Sequence, residues 1–167
     1  MSKDKMKIIN THQRKYEHPI DKISKIFESL SSTKDMMWPH ERWSPMTLEQ
    51  GLNVGSSGGH GPIKYFVSQY NPGRNVEFTF IEPSGFRGIH KFELNETINN
   101  SCLLKHQIKM NVSFKGFILW YFAIKWLHDA LIEDCFDKVQ NQISTTKSHT
   151  KWNAWVKILR ALFKKDK

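Results

Sequence analysis

The chain has 167 residues, of which 39% are hydrophobic and 13% aromatic, enough for one domain with a real core and too much for a disordered segment. Its net charge of +9 is uneven: residues 147–167 hold seven Lys and Arg against one acidic residue, and the preceding 146 carry only +3. A basic tail on a nearly neutral body argues against a nucleic-acid-binding body, and two cysteines, Cys102 and Cys135, make no disulfide framework and lack metal-site spacing.

Met1 to Asn10 is charged, without the apolar stretch of a signal peptide, and buried thiols fit a reducing cytoplasm. Lys7 to Tyr16 reads as a first strand. Pro19 can open a helix in which Ile20, Ile23, Phe27 and Leu30 recur at helical spacing. Ser31 or Ser32 can cap a second short helix running towards Trp38. Thr47 to Val54 is a candidate strand, and Gly55 to Pro62 is a turn-rich connector.

Four strands follow at hairpin spacing: Ile63–Tyr70, Val76–Ile81, Arg87–Asn95 and Cys102–Ser113. On the last two, His90, Phe92, Leu94, Cys102, Leu104, His106, Ile108 and Met110 share one parity and so one face, while the other face is mostly charged. Pairing Leu94 with Cys102 across the Asn99-Asn100 turn would set His90 directly opposite His106. From Gly116 the period becomes helical to about Gln142, with Phe117, Trp120, Ile124, Leu127, His128, Leu131 and Cys135 on one face. Gly116 to Leu127 is broken by Lys125 and falls short of the roughly 20 apolar residues a spanning helix needs.

This order predicts an α+β helix-grip fold: a curved antiparallel sheet wrapped around a long C-terminal helix, with two short helices after the first strand. Residues 1–142 form that domain, 143–150 a linker, and 151–167 a basic amphipathic helix. The segments Ile23-Ser24-Lys25-Ile26-Phe27 with Trp38 and Trp43, Gly59-His60-Gly61-Pro62-Ile63, and Trp126-Leu127-His128-Asp129-Ala130-Leu131 resemble the SRPBCC superfamily, the START-like and polyketide-cyclase-like group. The resemblance implies a cavity between sheet and long helix that holds a lipid or other apolar molecule. Some members of that group catalyse cyclisation, hydration or hydrolysis there. The superfamily has no common catalytic signature.

Inward positions name the candidate ligand-binding residues. His60, Tyr65, Phe78, Phe80, His90 and Phe92 come from the turn and first strands. Leu104, His106, Trp120, Ile124, His128 and Leu131 come from the last strand and long helix. His90, His106 and His128 are the candidate acid–base groups, since imidazole titrates near neutrality. Each is weighed against a plain buried histidine. Without HExxH or CxxC no metal or other cofactor is expected. Asp129 and Glu133, four apart, read as a solvated acidic face. Gly55 to Gly61 lacks the ending of a phosphate loop and reads as a loop at a pocket mouth.

In the tail, Trp152, Trp155, Val156, Ile158, Leu159, Leu162 and Phe163 fill one helical arc, opposite Lys157, Arg160 and Lys164. Such a helix suits an anionic membrane surface, its own domain or a second chain. The sequence therefore supports three functions: a binder of a hydrophobic small molecule or lipid, an enzyme of the polyketide cyclase or hydratase type using cavity histidines, and a docking adaptor working through the tail. The expected location is the cytoplasm, with the tail suited to peripheral membrane contact, and no nucleic acid is expected as a partner.

Overall fold

A computed structural model describes residues 5–163. Strand β1 (Met6–Tyr16) is followed by helix α1 (Ile20–Glu28). Six strands come next: β2 (Thr47–Leu48), β3 (Ser57–His60), β4 (Ile63–Asn71), β5 (Asn75–Glu82), β6 (Arg87–Thr97) and β7 (Ser101–Val112). The helical stretch 114–143 comprises α2 (Phe114–Leu119), a π-turn (Trp120–Ile124) and α3 (Lys125–Ile143), and α4 (Ala154–Phe163) lies beyond it. The seven strands form one antiparallel sheet in the order β1-β7-β6-β5-β4-β3-β2.

The expected architecture is present, with four local corrections. First, one helix follows β1, not two. Residues 29–46 run as turns because side chains claim the amides a second helix would use. The Asp35 carboxylate accepts from the N–H groups of Ser31, Met37 and Trp38 at 2.7–2.8 Å, and Ser29 Oγ accepts from Met36 N at 2.9 Å. Second, the strand expected over Thr47–Val54 stops at Leu48, where Ser56 Oγ takes the Gln50 amide and turns the chain.

Third, the glycine-rich stretch is itself a strand. A Cβ on Gly58 would lie 1.9 Å from the Thr47 carbonyl oxygen, and one on Gly59 2.0 Å from that of Ile63, so only glycine lets β3 sit this close to both neighbours. Its strand character leaves no alternating side chains to read. Fourth, β6 and β7 pair two residues out of the expected register. Leu94 faces Leu104, Phe92 faces His106, and His90 faces Ile108. The hairpin closes tightly at Thr97–Ser101, whose hydroxyls are 2.7 Å apart, with Asn99 and Asn100 both at positive φ. A two-residue shift preserves parity, so every side chain keeps its face.

The apolar side of the sheet faces α1 and the long helix. Ser113 caps that helix by accepting from Gly116 N. The core divides into two clusters. The larger joins α1, the middle of the sheet and the α3 residues Leu131, Ile132, Cys135, Phe136 and Val139. The smaller holds Ile8, Phe86, Ile108, Met110, Val112 and Trp120, with Phe80 and Ile124 packed against it.

The tail docks on the body. Trp152 Nε1 and Trp43 Nε1 both donate to Asp134 Oδ2, at 3.0 and 2.7 Å, while Arg42 holds Oδ1 at 2.7 Å. Val156 and Leu159 are buried. Arg160 is not on a free cationic arc: it stacks 4.3 Å from the Trp43 ring and donates to the Arg42 carbonyl. The stretch expected to be a linker is bonded to α3, with Ser148 Oγ and Thr150 N both on the Asp137 carboxylate. Lys164 lies outside the described residues. Among the described residues no helix is long and apolar enough to cross a membrane.

Candidate functional site

The inward positions of β1 set up the site's outer edge. Asn10, His12 and Arg14 alternate along the strand and meet Asp129, Glu133 and Asp137, which repeat every turn on α3. Asn10 Nδ2 donates to Asp129 at 2.9 Å, and Arg14 bridges Glu133 and Asp137 at 2.8 and 2.6 Å. His12 stands between them, Nε2 2.9 Å from Asp129 and Nδ1 2.9 Å from Glu133. Burial opposes a charge on this ring, but two carboxylates outweigh it and raise the His12 pKa to about 9. The acidic face expected to be solvated is therefore a half-buried ladder of ion pairs. Its signal was readable in the sequence: polar residues at positions 10, 12 and 14 of β1, between the apolar Ile8 and Tyr16 of the same face, matched by acids at i, i+4 and i+8.

Behind this ladder the rings continue inward as a file. His128 is 5.9 Å from His12 and 5.0 Å from His106 by ring centroid; His106 is 5.7 Å from His90. His90 stacks on Phe78 and Phe80 at 4.7 and 5.0 Å and meets Tyr65 edge-on at 4.7 Å. The Tyr65 hydroxyl and His60 Nδ1 are 3.0 Å apart, and His60 packs 4.8 Å from Trp38. The diagonal placement of His90 and His106, rather than direct opposition, follows from the two-residue register shift. It still leaves both rings on the same interior.

The electrostatics divide this file sharply. Burial first, then the neighbouring imidazoles, push His90 and His106 well below the ordinary value, and burial likewise lowers His60 to about 3. His128 is lowered by burial despite Asp129 beside it. These four rings are neutral at pH 7, whereas His12 is charged. Neutral imidazole offers one N–H and one lone pair. Yet His90 Nε2, His106 Nδ1 and both nitrogens of His128 are buried with no hydrogen-bond partner among the described residues. His128 Nδ1 approaches Asp129 Oδ1 at 3.5 Å without bonding geometry.

The remaining expected residues line the same interior. Tyr65, Phe78, Phe92 and Leu104 are fully buried on the sheet, with Trp120 and Leu131 buried on the helix and Phe80 and Ile124 partly so. The interior around the imidazoles is thus walled by rings. A cleft of about 250 Å³ lies elsewhere, between the turn at 39–42, α3 and residues 148–149, lined by polar residues including Arg42, Asp134, Lys138 and His149. Sequence reading missed His12 and Arg14, and it placed Asp134 on a solvated acidic face, whereas that carboxylate is buried under Arg42, Trp43 and Trp152. It also left Trp38 without a role, although its ring abuts His60.

Chemically, the interior is built to accept or donate single hydrogen bonds within apolar walls. Among the described residues no carboxylate is bonded to His90 or His106, so neither has there the orienting partner of a general base. His12, His128 and Asp129 come close enough to be considered for a cation. His12, Lys125 and Arg14 already match the charge of Asp129 and Glu133 there, so the group does not fit one.

A curved antiparallel sheet closed over one long helix, with a ring-lined interior between them, is a helix-grip fold. Among solved structures, the chain resembles norcoclaurine synthase from Thalictrum flavum: 13% identity, 86% of this chain and 97% of that one, TM-score 0.63. The same enzyme solved with dopamine and hydroxybenzaldehyde matches at 12% identity over 87% of this chain and 91% of that one, TM-score 0.64. CalU16 from Micromonospora echinospora matches at 10% identity over 95% of this chain and 92% of that one, TM-score 0.55. At these identities the likeness establishes the fold. No protein-family model matches the chain, and no curated protein matches it in sequence.

Proposed function

We propose that this protein binds a small, largely apolar molecule carrying one polar group, held between the sheet and the long helix beside His90, His106 and His128. The carrying observation is the set of four buried imidazole nitrogens without partners among the described residues, in a largely apolar interior. A buried polar atom left unbonded costs about 1–3 kcal/mol, so an interior that keeps several has a use for them. Apolar walls supply affinity, and a hydroxyl or carbonyl on the ligand satisfies the nitrogens and sets its orientation. A norcoclaurine synthase of this fold was solved with dopamine and hydroxybenzaldehyde, two small ring compounds with polar substituents, which supports a ligand of that size and character here.

The test compares naphthol with naphthalene, the same apolar body with and without a hydroxyl. Both are titrated by displacement of the fluorescent probe N-phenylnaphthylamine from the purified protein. The hydroxyl should strengthen binding by about 1 kcal/mol, and that gain should vanish in His106→Leu while naphthalene binding stays. Equal affinity for the two compounds would remove the anchoring role. No probe binding at all would remove the ligand reading.

A further inference from the structure

We propose that the outer face of α2, the π-turn and α4 form one surface that docks on an anionic lipid bilayer. This goes beyond ligand binding and does not rest on it. The docking of α4 uses only part of its apolar arc. Trp152, Val156, Leu159 and Arg160 face the body, which leaves Trp155, Ile158 and Leu162 at 42%, 49% and 58% exposure. On the long helix Ile118, Tyr121 and Phe122 are likewise 42%, 57% and 60% exposed. A globular surface rarely leaves so many large apolar groups together in water without a use for them.

The two sets are one surface. Trp155 Nε1 donates to the Phe122 carbonyl at 2.9 Å, which seats α4 beside the π-turn. The Phe122 ring packs against Tyr121 at 5.4 Å. The tail therefore does not choose between its own domain and a membrane: one edge holds it to the body and its other edge extends the body's exposed face.

The charge around this surface selects the occupant. Residues 114–128 and 143–163 contain no Asp or Glu at all. Lys115, Lys151 and Lys157 are exposed there. A second copy of the chain would set these cations against their own kind, at a net charge of +9 per chain. Anionic headgroups complement them, acyl chains take up the aliphatic and aromatic side chains, and indole and phenol rings settle at the boundary between the two.

Full-length protein is sedimented with vesicles of phosphatidylcholine alone and of phosphatidylcholine and phosphatidylserine in equal parts. The mixed vesicles should bind it and the neutral ones should bind it weakly, with the difference shrinking as salt is raised. Lys151→Glu with Lys157→Glu should lower partitioning onto the mixed vesicles by about tenfold or more. Ile158→Ser with Leu162→Ser should do the same while the melting temperature holds, because these side chains are exposed. Trp155→Phe should reduce quenching of tryptophan fluorescence by brominated acyl chains. The proposal is overturned if full-length protein ignores the mixed vesicles, or if both double variants bind them as well as the parent. It is equally overturned if sedimentation velocity shows that the exposed side chains support self-association or capture of an acidic protein and not vesicle binding.

Discussion

His12 Nε2 on β1 and Asp129 Oδ1 on α3 meet at 2.9 Å, and the imidazole is charged in the fold whereas its four inward neighbours are not. This contrast sets a pH optimum of stability. His12 is raised to about 9, so its contribution is complete below the unfolded value near 6.5 and is lost as pH rises through 9. His60, His90, His106 and His128 are lowered, so below 6.5 the unfolded chain takes up protons the fold refuses, and stability falls with acid. Chemical denaturation across pH 5–9 should give a maximum at about pH 7, where the five unfolded rings together hold the one proton His12 keeps in the fold. In His12→Gln the alkaline limb should flatten and the acid limb remain. A flat profile in the parent would show that these rings titrate alike in both states.

His90→Phe should stabilise the protein. The ring lies parallel to Phe78 and near-parallel to Phe80, so a phenyl group fits the stack and removes an unbonded nitrogen. A gain of about 1 kcal/mol is expected. Thermal denaturation measures it, and a clear loss would mean that the nitrogen has a partner in solution.

Ending the chain at Gln142 should destabilise the body. Val156 and Leu159 leave their buried positions, Trp43 is uncovered, and Asp134 loses the Trp152 indole. Burying one such aliphatic side chain contributes about 1.5–3 kcal/mol, so a loss of about 3 kcal/mol or more is expected in urea denaturation. Unchanged stability would place α4 away from the body in solution.

Asp35→Ala should loosen residues 31–38. Three backbone amides lose a charged acceptor at 2.7–2.8 Å, for an expected cost of about 2 kcal/mol or more. Trp38 is fixed by one of these bonds and packs on His60, so Tyr65 and His60 signals in NMR should shift too. Asp35→Asn, which keeps an acceptor oxygen, should recover part of the stability.

The fold was legible where side chains alternate or recur. The strands over residues 6–16, 63–71, 75–82, 87–97 and 101–112 and the long helix all carry a buried stripe. Parity placed His90 and His106 on one face even with the register two residues out. What escaped was structure written in the backbone: β3, whose glycines have no side chains to alternate, and the turns at 29–46, where one aspartate decides the path of eight residues. The site was half legible. The buried imidazoles follow from pattern, but the charge partners of Asp129 and Glu133 depend on which strand lies beneath α3, a fact of sheet order. The tail's periodicity showed its apolar arc. It gave no sign that Arg160 would turn inward, because that depends on two tryptophans, one of them over a hundred residues away.

The file of imidazoles has a mechanical consequence. His90 separates Phe78 in the larger core cluster from Phe80 in the smaller, and His128 stands between Trp120 and Leu131 along the helix. The interior is therefore two oils divided by a polar seam, and cohesion across it is weaker than within either side. Residues 114–124 pack on the smaller cluster and take one indole bond from α4, and their amides should exchange with solvent sooner than those of 131–139. If that end exchanges first, the seam is where the fold parts, and the opening bares the unbonded nitrogens while the sheet and α1 stay shut.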